Sequence, residues 1–176
     1  MTRLRPAAAV LALGLLALPT QAKPAEPVVL QGQARVIDGD TLVLEGARIR
    51  LHGIDAPELR QRCEADDGTV WPCGRHAAAM LAAMTEAAQL TCEGRRQDRY
   101  RRLVAICAAS GLDVAAQMVA DGLAVAARRY SRAYLAVEEE ARLHGRGVWS
   151  GRFDRPSDWR AVRHRAGHRA APEKPI

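Results

Sequence analysis

Several residues between Val36 and Glu58, in the segment VIDGDTLVLEGARIRLHGIDAPE, are of types that do chemistry. Asp40 and Asp55 lie at similar distances from Gly46, so a hairpin that turns there brings their carboxylates together. Two carboxylates without a partner repel each other, whereas a hard divalent cation such as Ca²⁺ binds both. Because two carboxylates are too few for a complete calcium cage, we expect water and a ligand oxygen to complete the coordination.

Two further side chains of this segment suit the hydrolysis of a phosphate ester. Glu58 follows Asp55 by three residues and is placed to take a proton from water. Arg50 stands between apolar Ile49 and Leu51, so its guanidinium emerges on the opposite face of a strand, where it can clamp a phosphate. Each residue alone has an ordinary structural explanation, but together they indicate metal-assisted phosphodiester hydrolysis.

The elements that must position these residues follow from the hydrophobic pattern. Three strand-like runs come first, and an Ala-rich helix, two strands, a short helix, a short strand and a third helix follow. Asp113 and Ser131 are the expected N-caps of the second and third helices. We therefore predict an α+β fold that is mainly β, a five-stranded barrel with three packed α-helices.

The chain divides into a leader, one folded domain and a tail. Residues 1–22 combine a basic start with a short apolar run, which predicts a signal peptide cleaved after Ala22; an uncleaved anchor is the alternative. Residues 23–33 form a linker and the start of the first strand, 34–150 the domain, and 151–176 a basic, partly disordered tail. The expected mature protein is a monomer, periplasmic or secreted, and has no membrane segment.

Charge and cysteines add two constraints. The formal net charge is +6, but between residues 23 and 159 the basic and acidic residues are equal in number, so the excess lies in the two ends. The high pI is therefore weak support for a nucleic-acid site on the fold. Four cysteines in an exported chain predict two disulfides, Cys63–Cys73 and Cys92–Cys107. A four-thiolate zinc site is disfavoured because no C-x-x-C pair is present.

Four motifs, VIDGDT, IRLHGIDAPE, DRYRR and GVWS, occur in the order and spacing of the staphylococcal nuclease family, and this resemblance covers about residues 34–150. The resemblance implies an OB-fold barrel and a nuclease that depends on one Ca²⁺ ion, and the predicted signal peptide implies that this nuclease is exported. DNA is the expected substrate, RNA is left open, and 3′-phosphate products are implied. The alternatives are a non-catalytic OB-fold module that binds nucleic acid and a calcium-stabilised protein without a nucleic-acid role.

The same resemblance implies roles for individual residues. The expected Ca²⁺ ligands are Asp40, Asp55 and the backbone carbonyl of Ala56, with Asp38 beside them. The expected catalytic residues are Arg50, Glu58 and Arg102, and the expected substrate contacts are Tyr100, Tyr130 and Arg128. Arg128 departs from the family, which has a pocket tyrosine at this position. Arg101 stands where the family usually has glycine, so a positive φ there would strain the backbone. Residues Glu138 to Glu140 are interpreted as an exposed helix face.

Overall fold

The computed structural model describes residues 26–86 and 88–169, with side chains through residue 166. The expected signal peptide and its cleavage site lie outside these residues. Within the described part of the chain, no helix is long and apolar enough to cross a membrane.

Twelve short strands, four α-helices and one 3₁₀ turn make up the described part. The strands are β1 Val28–Gly32, β2 Ala34–Asp38, β3 Thr41–Leu44, β4 Ala47–Leu51, β5 Ile54–Asp55, β6 Cys63–Ala65, β7 Val70–Trp71, β8 Leu90–Gln97, β9 Leu103–Ala109, β10 Leu112–Asp113, β11 Val125–Ala126 and β12 Gly151–Arg152. The helices are α1 Cys73–Glu86, α2 Val114–Ala120, α3 Leu135–Leu143 and α4 Pro156–Arg169, with the 3₁₀ turn at Gly147–Ser150.

The main sheet curls back on itself. Its strands run in the order β1-β8-β9-β4-β3-β2, with β10 paired to β9. Only Gln33 separates β1 from β2, so one bent segment supplies both ends of the order. This arrangement keeps the expected mainly β architecture, but the count differs, because the described sheet has seven strands and two smaller sheets accompany it.

The β3–β4 hairpin sets the register of the site. Its two turn residues, Glu45 and Gly46, have φ of 48° and 75°, the left-handed pair that a tight hairpin turn requires. Thr41 pairs with Arg50, and the Leu51 N–H donates to the Asp40 carbonyl oxygen at 2.9 Å. Asp40 therefore leads directly into the paired strands, at the end of the hairpin where β5 begins.

The core lies between the curled sheet and helices α1 and α2. Leu42, Ile49, Leu81 and Met118 are fully buried in it. Leu42 and Ile49 face each other across the hairpin, so the opposite face of β4 is left for Arg50. The alternation expected for β4 is therefore present.

The helices differ from the expectation in two respects. Asp113 caps α2 as predicted, its carboxylate accepting from the Ala115 and Ala116 N–H groups, but Ser131 does not cap α3, which begins at Leu135 after the N-cap Tyr134. A fourth helix, α4, occupies residues of the tail that the sequence pattern predicted to be partly disordered. Pro156 at its first position and Asp158 in its first turn are ordinary helix-start residues.

Both disulfides join the cysteines that were expected to pair. Cys92 and Cys107 are direct partners on β8 and β9 and lie inside the main core. Cys63 and Cys73 connect β6 to the first residue of α1, in a smaller core with Val125 and Val148. The Cys63–Cys73 disulfide matters for the site, because it closes the loop that follows Glu58.

Candidate active site

Asp40 and Asp55 come together as predicted, with the Arg50 guanidinium between them. Arg50 Nη1 forms an ion pair with Asp40 Oδ1, and Nη2 donates to Asp55 Oδ1 at 3.0 Å. The Ala56 N–H donates to Asp40 Oδ2 at 2.9 Å, which fixes the chain after β5 against the hairpin. Asp40 and Asp55 are both buried, so their charges are held close together in a poorly solvated position.

The donor chemistry of this cluster suits a hard cation. Asp40 and Asp55 present carboxylate oxygens, the ligands that Ca²⁺ prefers, and the Ala56 carbonyl follows directly in the chain. Among the described residues, no group of three or more His, Cys, Asp or Glu side chains could hold a metal ion. An ion at this position would therefore need water and ligand oxygens in addition to the protein.

Asp38 lies beside the cluster. Its Oδ1 accepts from the Asp40 N–H at 3.1 Å, next to an irregularity in the β2–β3 pairing. Burial raises the pKa of the Asp38 carboxyl, and the Thr41 hydrogen bond and the charges of Arg50 and Arg102 partly oppose this rise. Asp38 thus shapes the field at the site from beside the expected ligands.

The Glu58 loop is held from three sides. Glu58 N–H donates to the Gln61 side-chain oxygen at 3.2 Å, and Gln61 N–H donates to the Glu58 carbonyl at 2.7 Å. Gly74 in α1 packs so close that a Cβ there would lie 1.7 Å from the Glu58 carbonyl oxygen, so the residue must be glycine. With the Cys63–Cys73 link, these contacts fix the backbone from which the Glu58 carboxylate extends.

Arg102 approaches the cluster from the loop between β8 and β9. Its Nη1 donates to Thr41 Oγ1 at 3.4 Å, and the Thr41 hydroxyl donates to Asp40 Oδ1 at 3.0 Å. Asp98 holds Arg102 in place, because its carboxylate accepts from the Arg102 N–H at 3.0 Å and from Nε and Nη2 at 2.7 Å each. The sequence interpretation gave Asp98 no role, although it opens the DRYRR motif.

The loop that carries Arg102 also shows the strain expected at Arg101. Arg101 has φ of 62°, a conformation that glycine adopts freely and arginine does not. Tyr100 is exposed, and the guanidinium groups of Arg99 and Arg102 lie 4.8 and 5.4 Å from its ring centre. An exposed ring flanked by arginines is a suitable surface for stacking a base.

Arg128 and Tyr130 follow β11, the strand that pairs with β5. Tyr130 is exposed, whereas Arg128 donates to Glu138 Oε2 at 2.5 Å and not to the Asp40–Asp55 cluster. Glu138 is buried and also accepts from the Ala126 N–H at 3.0 Å, so the interpretation of this residue as part of an exposed face was wrong. An acidic residue in the first turn of an amphipathic helix gives no local signal that it will be buried.

A third arginine, absent from the sequence interpretation, lies in the cluster. Arg160 of α4 donates from Nη2 to Asp55 Oδ2 at 3.0 Å, and from Nη1 to Asp55 Oδ1 at 3.1 Å and Glu58 Oε1 at 2.8 Å. Burial alone would lower the pKa of Arg160, but the hydrogen bonds and charges of Asp55 and Glu58 more than offset this, and the pKa is raised. Burial lowers the pKa of Arg50, with Asp55 opposing.

Comparison with known proteins places these residues in a wider group. The model of a protein family described as staphylococcal nuclease homologue matches residues 48–151. That range contains Arg50, Asp55, Glu58 and Arg102, whereas Asp40 and Arg160 lie before and after it.

Individual proteins that are similar to this chain include two whose names describe nucleases. The succinoglycan biosynthesis protein ExoI of Rhizobium meliloti is 38% identical over 140 residues, which cover 78% of this chain and 72% of ExoI. An uncharacterized endonuclease of Haemophilus influenzae is 28% identical over 72% of this chain and 70% of its own length. The probable staphylococcal-like nuclease CAN2 of rice is 29% identical over 69% of this chain and 31% of its own length.

Proposed function

Because this chain belongs to the staphylococcal nuclease homologue family, we propose that it is an exported, Ca²⁺-dependent nuclease that hydrolyses phosphodiester bonds of DNA. The observation that carries the proposal is the convergence of Asp40, Asp55 and Arg50 in one buried cluster, with Glu58 and Arg102 at its edge. RNA is a second substrate to be tested. The two disulfides fit an oxidising compartment, either the periplasm or the medium.

The arginines would bind the scissile phosphate. Arg50 lies between the two acidic residues, and the Thr41 hydroxyl links Arg102 to Asp40. The two guanidinium groups therefore lie beside the same acidic cluster. Planar guanidinium groups bind phosphate oxygens through paired hydrogen bonds and stabilise the negative charge that grows during phosphoryl transfer. Asp40, Asp55 and the Ala56 carbonyl would hold Ca²⁺, which supplies Lewis-acid polarisation of the phosphate when bound.

Glu58 would act as the general base. Its carboxylate takes a proton from water while the water oxygen forms a bond to phosphorus. The bond between phosphorus and the 5′ oxygen then breaks, the 5′ oxygen keeps the bonding electrons and takes a proton from solvent, and the phosphate stays on the 3′ side. Exposed Tyr100, Tyr130 and Arg128 would contact the flanking nucleotides.

The test is cleavage of plasmid DNA by the purified mature protein with Ca²⁺ and with EGTA. We expect cleavage only with Ca²⁺, and we expect Arg50→Ala to lower kcat by about 10²–10³, the usual loss for one transition-state donor. Arg48→Ala is the matched control, because Arg48 lies on the same strand two residues earlier and is exposed. We expect its kcat to match that of the unmodified protein.

Other outcomes separate the alternatives. A gel shift without cleavage would support a non-catalytic nucleic-acid-binding module. Ca²⁺ binding without either effect would support a calcium-stabilised protein. Cleavage that persists in EGTA, or an unchanged kcat in Arg50→Ala, would contradict the proposed mechanism.

A further inference from the structure

Arg160 contacts two acidic residues of the site at once, Asp55 and Glu58. Its guanidinium donates hydrogen bonds to both carboxylate oxygens of Asp55 and to one of Glu58, at 2.8 to 3.1 Å. Arg50 donates to the same Asp55 Oδ1. The two guanidinium groups therefore share one carboxylate oxygen, and a phosphate held by Arg50 would lie close to Arg160.

The position of Arg160 is fixed by the start of α4 and is not an incidental surface contact. The buried Gln61 side chain donates to the Asp154 carbonyl at 2.7 Å while its oxygen accepts from Glu58 N–H. Arg155 lies 3.9 Å from Glu138 Oε1, with its guanidinium over the Trp149 ring. The entrance to α4 is thus tied to the Glu58 loop and to α3.

The guanidinium and a metal ion would use the same oxygens. A carboxylate has about four lone-pair sites, and Arg50 and Arg160 together already donate three hydrogen bonds to Asp55. A divalent cation at Asp55 competes most directly with Arg160, because Arg160 uses both oxygens. Arg160 also has more freedom to leave, since its side chain is 41% exposed while that of Arg50 is 20% exposed.

We propose that Arg160 is a third phosphate-binding arginine, which neutralises Asp55 and Glu58 in the metal-free protein and exchanges them for the substrate phosphate when a divalent cation binds Asp55. This inference rests on the proposed nuclease function and adds to it a residue from beyond the family match. It makes two predictions of opposite sign. Loss of Arg160 removes a competitor for Asp55, so the divalent cation binds more tightly. The same loss removes a phosphate contact, so kcat/KM for the nucleic-acid substrate falls.

The experiment compares Arg160→Gln with Arg163→Gln in the complete mature protein. Arg163 lies on the same helix one turn later, and its guanidinium stacks on Trp159 at 4.3 Å, so its loss removes the same charge from α4 and leaves Asp55 and Glu58 untouched. Calorimetric titration with CaCl₂ alone measures cation affinity. Hydrolysis of a single-stranded DNA oligonucleotide at saturating Ca²⁺ measures kcat/KM.

We expect Arg160→Gln to bind Ca²⁺ about 5- to 10-fold more tightly, at the low end of the coupling usually found between two binding sites. We expect kcat/KM to fall about 10- to 100-fold, and Arg163→Gln to match the unmodified protein in both measurements. General damage to the site would weaken Ca²⁺ binding and hydrolysis together, so the opposite signs identify the exchange. If Arg160→Gln does not fold, Arg160→Lys is used, with smaller effects of the same signs.

Unchanged or weaker Ca²⁺ binding in the Arg160 variants, or an unchanged kcat/KM, would overturn the proposal. If the unmodified protein cleaves DNA and the variant behaves identically, only the role of Arg160 fails. If the unmodified protein neither binds Ca²⁺ nor cleaves DNA, the proposed nuclease function fails and the role of Arg160 fails with it.

Discussion

Arg102 and Arg160 both reach the Asp40–Asp55 cluster from outside the β3–β4 hairpin, yet they are held in opposite ways. Arg102 is fixed by Asp98, a carboxylate of its own loop that takes no part in the cluster. Arg160 is fixed by Asp55 and Glu58, which are themselves expected to bind metal and water. The first arginine keeps its anchor when ligands bind, whereas the second must change partners.

The site therefore combines one arginine that stays in place with another that changes its partners. Groups that stabilise a transition state act best when they are already in place, which requires an anchor outside the reacting atoms. An arginine that neutralises the acidic residues before the metal binds has the opposite requirement, because it must be able to leave them. The Asp98 anchor and the link between Gln61 and α4 can each be broken separately.

Among the substitutions that test this comparison, the largest expected effect comes from releasing Arg102. Asp98→Asn keeps the shape of the side chain but removes the charge that receives Arg102 Nε and Nη2, so Arg102 becomes free to move. We expect kcat for DNA hydrolysis to fall about 10- to 100-fold, less than for removal of an arginine itself. Steady-state kinetics at saturating Ca²⁺ measures the change.

Asp67→Asn is the matched control, because Asp67 also accepts a backbone hydrogen bond in an exposed loop, from the Thr69 N–H at 2.8 Å. We expect its kcat to be unchanged. A normal kcat in Asp98→Asn would show that Arg102 does not need its anchor and that the contrast with Arg160 is not functional.

A smaller effect is expected from cutting the link between the Glu58 loop and α4. Gln61→Met keeps the volume of the buried side chain but leaves the Glu58 N–H and the Asp154 carbonyl without their partner. An unsatisfied buried polar group costs about 1–3 kcal/mol, but Glu58 is half-buried and Asp154 is exposed, so water can replace part of the lost bonding. We therefore expect the free energy of unfolding to fall by about 1 kcal/mol, the lower end of that range. Urea denaturation with intact disulfides measures the change.

The control for this substitution is Gln117→Met, which removes an exposed hydrogen bond from α2 to its C-cap residue Asp121. We expect that variant to change stability by less than about 0.5 kcal/mol. Equal stability losses in the two glutamine variants would mean that the Gln61 bridge does not hold α4 in place.

The hairpin part of the site was predictable because its geometry is local. Two-residue periodicity placed Arg50 on the polar face of β4, and the turn at Gly46 brought Asp40 towards Asp55. Arg102 was expected only from the resemblance of DRYRR to the family motif. In the hairpin, by contrast, the residues that meet are set by strand register, which the sequence pattern encodes.

Arg160 and Glu138 could not be predicted in the same way. The contact of Arg160 with Asp55 joins residues 105 positions apart and depends on how α4 packs, which no periodicity specifies. Its arginine-rich sequence has the composition of a solvated tail. Pro156 and Asp158 are helix-start residues, and Trp159 beside Arg160 is an aromatic among few, so these were the only available signals of an ordered end.

The smallest expected effect concerns the strain in the loop of Arg102. Arg101 has a positive φ, which costs an L-residue about 1–2 kcal/mol, whereas glycine adopts it freely but loses about 0.5–1 kcal/mol more entropy on folding. We therefore expect Arg101→Gly to raise the free energy of unfolding by about 0.5–1 kcal/mol. The backbone contact from Arg101 N–H to the Asp98 carbonyl, at 3.0 Å, does not need the side chain and should persist.

Arg101→Ala removes the same charge and keeps the strained φ, so it separates the backbone effect from electrostatics. We expect its stability to stay within about 0.5 kcal/mol of the unmodified protein in urea denaturation.

With the anchor at Asp98 intact, kcat should be unchanged in both variants, because the strain lies beside Arg102 and not in its contacts. A stability gain in Arg101→Ala equal to that in Arg101→Gly would assign the cost to crowded positive charge in DRYRR. A loss of kcat in the glycine variant would show that the strained residue, and not Asp98 alone, sets the position of Arg102.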